Sequence, residues 1–378
     1  MQNKLSFIYL IQEAGCLNPM SGAFQHIKMG MKYLAKDFEP VLLLQNKKIN
    51  LELLKKDGTE KIASHVKKRS GVIKGTLKDF SIILYSIFSL FKQYKTIKKE
   101  NPCFIYERAS YLNLNGLIVA KLLNIPHFYE ANGLQFESKR KYYKSLLVPL
   151  IRVIEKWQYV KSTHTFFVGT YGNYWKLKTG NWINVENGIE KEFIANHHCE
   201  KLNDGKIHLV FVGSLMYHHR PDILLKALNA LDKSLFHVHL VGDKLEKLYD
   251  DLIKQDIQVF NHGFVPRNKL NALISQFHIG IIAGSPMYNS SMKLFDYAIA
   301  KLVVVAPKVD VLYTSFSKEL CFFDGTANDM ANKLKMLKQQ REKSDALANL
   351  LYCKVCRDYT WDNVFARKIN IIQNTLKK

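Results

Sequence analysis

Residues 284–307 read GSPMYNSSMKLFDYAIAKLVVVAP, and this stretch decides how the chain folds. Small and polar residues come first. Met292, Leu294, Phe295, Ala298 and Ile299 then recur at helical spacing, and 302–306 form a short, largely β-branched run. The pattern is loop, helix, buried strand, the unit of a parallel α/β sheet. Ser290 and Ser291 fall where a helix N-cap belongs, because a serine oxygen accepts from the N–H groups of the first turn. Such a start, with the positive end of the helix dipole behind it, also seats phosphate. Lys293 carries the wrong charge for a first turn, which a bound anion explains. Asp296, one turn on, suits a pair of sugar hydroxyls. The alternative is an exposed Lys293–Asp296 pair on a surface helix.

A length of 378 residues exceeds one ordinary core and predicts two domains. With 47% hydrophobic residues, 19 Gly and 9 Pro, the chain is globular rather than disordered. The net charge of +22 is uneven: residues 1–190 hold 29 Lys+Arg against 14 Asp+Glu, the remainder 26 against 19. A basic half attracts nucleic acid, anionic lipid or phosphorylated substrates. The six cysteines are scattered. Cys353 and Cys356 make a lone CxxC on a predicted helix with no second pair for zinc, so a reducing cytoplasm is the simpler reading. Residues 5–11 read as a first strand, not a signal peptide. No run approaches the roughly 20 apolar residues of a membrane span.

Working outward to the N-terminal half, strands at 5–11 and 41–44 flank a helix keyed by Phe24, Ile27, Met31 and Leu34. Gly22, at that helix start, is either a ligand position or an ordinary turn glycine. Residues 81–91 are almost wholly apolar and bordered by Lys78, Lys92, Lys95, Lys98 and Lys99. Burial is the preferred reading, an anionic membrane surface the other. Strands at 103–107 and 125–130 end at Glu107, Arg108, Glu130 and Asn132. In a parallel sheet these share one rim and line a cleft, unless they are solvated loop polarity. Lys139, Arg140, Lys141 and Lys144, interleaved with Tyr142 and Tyr143, precede Leu146, Leu147, Leu150, Ile151 and Ile154. That mixture suits a membrane interface. Nucleic acid ranks lower because no recognised motif accompanies it.

The C-terminal half repeats the scheme. A strand at 207–212 leads to Gly213-Ser214 and then to His218, His219, Arg220 and Pro221, with a helix over 222–231. Further strands fall at 236–241, 257–260 and 278–283, each followed by a polar loop. His219 and Arg220 beside Gly213 can reach a negative ligand; a metal on His218 and His219 is disfavoured. Trp361, Val364, Phe365, Ile369 and Ile372 share one face of a closing helix that packs onto the first domain.

Several blocks in order resemble retaining, two-domain (GT-B) glycosyltransferases of family 4. ERASYLNLNGLIVAKLLNIPHFYEANG resembles their N-domain block, and FVGSLMYHHRPDILLKAL the start of their C-domain. HGFVPRNKLNALISQFHIGI and NSSMKLFDYAIAKLVVVAP resemble the donor-site blocks, ENGIE the hinge and WDNVFARKINII the returning helix. The resemblance implies two Rossmann-like doubly wound α/β domains facing across a cleft: an acceptor domain at 1–187, a donor domain at 188–358, and a helix at 359–378 crossing back. It implies sugar transfer from a nucleotide-sugar donor with retained configuration.

Carried over residue by residue, Asp296 holds the ribose. Ser290, Ser291, Met292 and Leu294 hold the diphosphate with Lys293. Phe264 and Val265 flank the base, and Gly22 and Gly213 let backbone approach the phosphates. The family's two glutamates, seven residues apart, become Tyr288 and Asp296. Its Arg and Lys after the first C-domain strand become Ser214 and His219, with Arg220 supplying charge. Its N-domain histidine becomes Asn132, so Asn132 or Glu130 orients the acceptor. The chain has no DxD triplet. No metal and no cofactor are therefore expected: the helix dipole, Lys293, Arg220 and His219 receive the leaving charge. The implied setting is bacterial surface polysaccharide synthesis on a lipid-linked acceptor, peripheral on the inner face of the cytoplasmic membrane, without nucleic acid. A non-catalytic partner of the same fold and a nucleotide-sugar epimerase are the alternatives.

Overall fold

The computed structural model describes residues 4–19, 21–55, 71–138, 140, 144–195 and 200–377. The expectations for Lys139, Lys141, Tyr142 and Tyr143 and for Cys199 lie outside them. Two compact units emerge: residues 1–185 with 365–378, and residues 186–364.

The first unit carries β1 (Ser6–Ile11), β2 (Glu39–Leu44), β3 (Lys47–Lys48), β4 (Phe104–Arg108), β5 (His127–Ala131), β6 (His164–Val168) and β7 (Trp182–Val185). The sheet order is β3-β2-β1-β4-β5-β6-β7, parallel except for the β2–β3 pair. Helices α1 (Gly22–Leu34), α2 (Val72–Glu100), α3 (Asn115–Leu122), α4 (Gln135–Ser138), α5 (Val148–Lys161) and α6 (Tyr171–Trp175) belong to this unit. Strands such as β1 and β4 are buried along nearly their whole length, as apolar runs covered on both faces should be.

The second unit carries α7 (Lys191–Ala195), β8 (Ile207–Val212), α8 (Pro221–Asn229), β9 (Phe236–Val241), α9 (Glu246–Ile253), β10 (Val259–Asn261) and α10 (Arg267–Ile274). It continues with β11 (Ile279–Ile281), α11 (Met292–Ile299), β12 (Val303–Pro307), α12 (Asp310–Phe316), β13 (Cys321–Phe323), α13 (Ala327–Gln339) and α14 (Arg341–Asp358). Its six parallel strands run β10-β9-β8-β11-β12-β13. The winding direction reverses between β8 and β11, and in the first unit between β1 and β4. Ligands bind at such switch points in doubly wound sheets. The fold is the expected one, two Rossmann-like α/β units. The last helix, α15 (Trp361–Leu376), contributes Ile372 to the first unit's core.

Two expectations fail here. The 81–91 run is helical but not buried. Helix α2 turns Ile73, Leu77, Leu84, Ile87, Phe88 and Phe91 outward, with Phe88 80% exposed. Its buried residues are Gly75, Asp79, Ser86, Gln93 and Ile97. The inversion is satisfied by hydrogen bonds. Ser86 donates to Asn115 Oδ1 (2.8 Å), and Gln93 donates to Gln45 O (2.6 Å). Nor do Glu107, Arg108 and Glu130 line a rim. They lie within β4 and β5, pointing into the interior, and both glutamates are fully buried. Their chemistry is internal. Glu107 meets His127 Nε2 at 2.8 Å and accepts from Gln12 at 3.0 Å. Glu130 accepts from Lys368 (2.7 Å), Tyr106 (2.7 Å) and Arg108 (2.9 Å).

Candidate donor site

In the second unit the loops after β8, β9 and β11 converge at the switch point. Gly213 and Gly242 have φ of +132° and +149°, where side chains are strained. A Cβ on Gly242 would overlap the carbonyl oxygen of Gly213, so these two loops touch backbone to backbone. A Cβ on Gly284 would likewise overlap His218 O and the Arg220 stem. Tyr297 fixes α11 beneath them. Its hydroxyl donates toward Val210 O and Ile281 O (both 3.2 Å) and accepts from Val212 N (2.8 Å), bridging β8 and β11 where they part.

Lys293 sits on the first turn of α11, 9% exposed. Its ammonium has no hydrogen-bond partner among the described residues and lies 4.6 Å from the centre of the Phe211 ring. Burial pushes its pKa down to about 7, against the pull of Asp296. A Cβ placed on Gly213 would be 3.1 Å from Nζ, so the ammonium points at that backbone. Ser291 occupies the N-cap position but makes no side-chain cap. Ser290 does not cap either: its Oγ accepts from Asn187 N (3.0 Å) and its carbonyl from Asn187 Nδ2 (3.0 Å). The cap expected from sequence is thus replaced by an uncapped helix start beside a buried lysine whose Nζ makes no hydrogen bond among the described residues. Met292 and Tyr288 are half-buried, and Leu294 packs into the core.

Asp296 is buried and salt-bridged to Arg267 at 2.8 Å. Burial raises its pKa, opposed by Arg267 and Lys293. The surface-pair alternative for Lys293 and Asp296 is therefore excluded. Arg267 was not anticipated; its signal is its place just after Pro266 at the start of α10, in the loop that also carries Phe264 (42% exposed) and Val265. Tyr297 and Phe211 were also missed, because both read as core.

Two expectations need revision on their charge. His219 Nδ1 donates to Ser214 O at 2.6 Å. Burial, then Lys293, drops the pKa of His219 to about 3, so it is neutral and presents a lone pair at Nε2. Arg220 is half exposed and already paired with Asp222 through Nε (2.9 Å) and Nη2 (2.8 Å).

In the first unit Gly22 opens α1 with Ser21 Oγ accepting from Phe24 N (3.1 Å), and nothing lies within 4 Å of a Cβ there. Glu130 cannot orient an acceptor: it is fully buried and both oxygens are engaged. Although burial opposes ionisation, Lys368 and His26 hold its pKa well below the carboxylate range. Asn132 is half-buried, and its Oδ1 has no partner among the described residues.

Residues 220–370 match the model of a family described as glycosyl transferase-like. No curated protein matches the sequence. Among solved structures, HepE from Anabaena in complex with UDP and glucose is 10% identical, with a TM-score of 0.68 over 98% of this chain and 100% of that one. A glycosyltransferase from Rickettsia africae is 13% identical, with a TM-score of 0.70 over the whole of both chains. The lipopolysaccharide outer core galactosyltransferase WaaB is 11% identical, with a TM-score of 0.68 over 98% and 100%. At such identities the likeness is one of fold. Residues 220–370 are therefore similar to a glycosyl transferase-like family, and the chain has the two-unit GT-B fold of these structures.

Proposed function

We propose that the protein is a retaining glycosyltransferase that takes a sugar from a nucleoside diphosphate donor. The observation that carries this reading is Lys293: a buried ammonium without a hydrogen-bond partner, on an uncapped helix start at the switch point. A buried unpaired charge is costly, and an anionic ligand offsets that cost. Support also comes from HepE, whose structure holds UDP and glucose.

In this reading the diphosphate lies against the first turn of α11 and Lys293. Asp296, held by Arg267, receives the ribose hydroxyls, and Phe264 and Val265 flank the base. As the bond from the sugar's anomeric carbon to the phosphate oxygen breaks, the acceptor oxygen bonds to that carbon on the same face. The acceptor proton passes to the departing phosphate. Fixed N–H groups and Lys293 stabilise the charge that develops there, without a metal. In the first unit Asn132 is the proposed acceptor contact.

The acceptor we infer is a lipid-linked glycan in surface polysaccharide synthesis, met at the inner face of the membrane. The support is α2, whose apolar face is outward and bordered by lysines, and α5, which exposes Leu150, Val153 and Trp157. The start of the second patch is tied to the first, since Leu146 N donates to Thr76 Oγ1 (3.0 Å). No described helix is long and apolar enough to cross a membrane. Calorimetry with UDP and other nucleoside diphosphates tests the donor reading. Binding by the wild type and loss of it in Lys293→Met supports it; no binding of any nucleotide overturns it.

A further inference from the structure

Five histidines, His208, His237, His239, His262 and His278, gather in the second unit, and only His262 lies next to a donor loop, two residues before Phe264. His208 on β8 and His237 on β9 are direct partners in the parallel register, each the second residue of its strand. They therefore stand at the N-terminal edge of the sheet, whereas Lys293 stands beyond the C-terminal edge. His208 Nε2 is 3.0 Å from Asp204 Oδ1, and His237 Nδ1 is 3.8 Å from Asp204 Oδ2. The second distance is too long for a hydrogen bond. His237 Nδ1 is buried and has no hydrogen-bond partner among the described residues.

We propose that Asp204, His208 and His237 form a binding site for a borderline divalent metal ion, zinc foremost, separate from the donor site. Their ligand atoms all lie within 4.8 Å of one another. Two donors each about 2.0–2.2 Å from a tetrahedral ion are about 3.4 Å apart, and the observed 3.0 and 3.8 Å bracket that spacing. Two imidazoles and a carboxylate are a zinc donor set with a position left for water. Asp204 is half exposed, which gives the ion an entrance. The neighbouring cation, Lys206, is drawn off to Ser234 O (2.7 Å).

Behind the site runs a chain of rings. His208 Nδ1 meets His239 Nε2 at 2.8 Å, and His239 Nδ1 meets His262 Nε2 at 2.9 Å. Phe277 stacks on His239 with centroids 3.8 Å apart, holding the chain in register. Without an ion, His208 Nε2–H donates to Asp204. With neutral rings its Nδ1 then accepts from His239, which in turn accepts from His262. With an ion on Nε2, His208 Nδ1–H donates to His239, and His239 Nδ1–H donates to His262. Metal binding reverses every proton in the chain. Such outer partners orient ligating imidazoles and tune their basicity.

The test uses the full chain, stripped with a chelator and titrated with zinc by calorimetry. One ion per chain is expected. Asp204→Asn and His237→Asn should each abolish that binding while leaving the circular dichroism melt cooperative, because neither is a core position. Nitrogen NMR of histidine-labelled protein should show His239 changing from its Nε2–H to its Nδ1–H tautomer as zinc is added. Absence of stoichiometric zinc binding by the wild type overturns the proposal. So does binding that survives both substitutions, or a His239 tautomer that zinc leaves unchanged.

Discussion

Lys293 concentrates the chemistry of the second unit in one side chain. In the unfolded chain it titrates near 10.5, in the folded one near about 7. Between those values the unfolded chain holds the extra proton, so this residue's effect is a stability that rises with pH from about 7 toward 10.5. Denaturant titrations of wild type and Lys293→Met across that range should differ by this slope. Diphosphate binding has the opposite preference, since it needs the ammonium. Nucleotide affinity should fall as pH rises through about 7, with proton uptake visible as a buffer-dependent calorimetric enthalpy. Turnover in Lys293→Met should drop by about 10²–10³-fold, the cost of losing one donor to a developing oxyanion. Arg267→Ala should weaken donor binding as well, by leaving Asp296 buried without its partner.

At the scale of elements, the joint between α15 and the first sheet is electrostatic. Lys368 on α15 reaches Glu130 on β5 with both side chains buried. Glu130→Gln should cost about 3–5 kcal/mol in denaturant unfolding, because it strands the Lys368 and Arg108 charges. Adding Lys368→Met to it should recover part of that loss, a test that an additive pair fails. Glu130 has a depressed pKa, so its contribution is present at neutral pH and lost as the carboxylate is protonated in acid. The helical existence of α2 and the loop–helix–strand order around α11 were legible from apolar spacing, whereas the switch point beside α11 follows from the strand order. The outward apolar face of α2 was not. Periodicity reports which residues share a face, and only the polar partners supplied by Gln12, Gln45 and Asn115 decide which face is buried.

For the whole molecule, the charge of +22 and the apolar face of α2 act together. Each exposed Phe or Leu that enters lipid gains about 1.5–3 kcal/mol, and each basic residue near an anionic surface about 1 kcal/mol. The protein should float with anionic liposomes at low salt and less with neutral ones. Phe88→Glu with Phe91→Glu should abolish flotation and leave nucleotide binding unchanged. Failure of the wild type to float removes the membrane reading and leaves the donor site intact.

The sequence by itself determined the alternation of strands and helices, the doubling of the α/β unit, and the positions of Gly213 after a strand, Lys293 at a helix start and Asp296 one turn on. These follow from local spacing, which the chain carries in order. The tertiary structure alone decided the pairing of Asp296 with Arg267, the lowered pKa of His219, the burial of Glu130 and the gathering of His208, His237 and Asp204. Those depend on which distant residues are packed together, and burial and hydrogen bonding at that distance set charge and protonation.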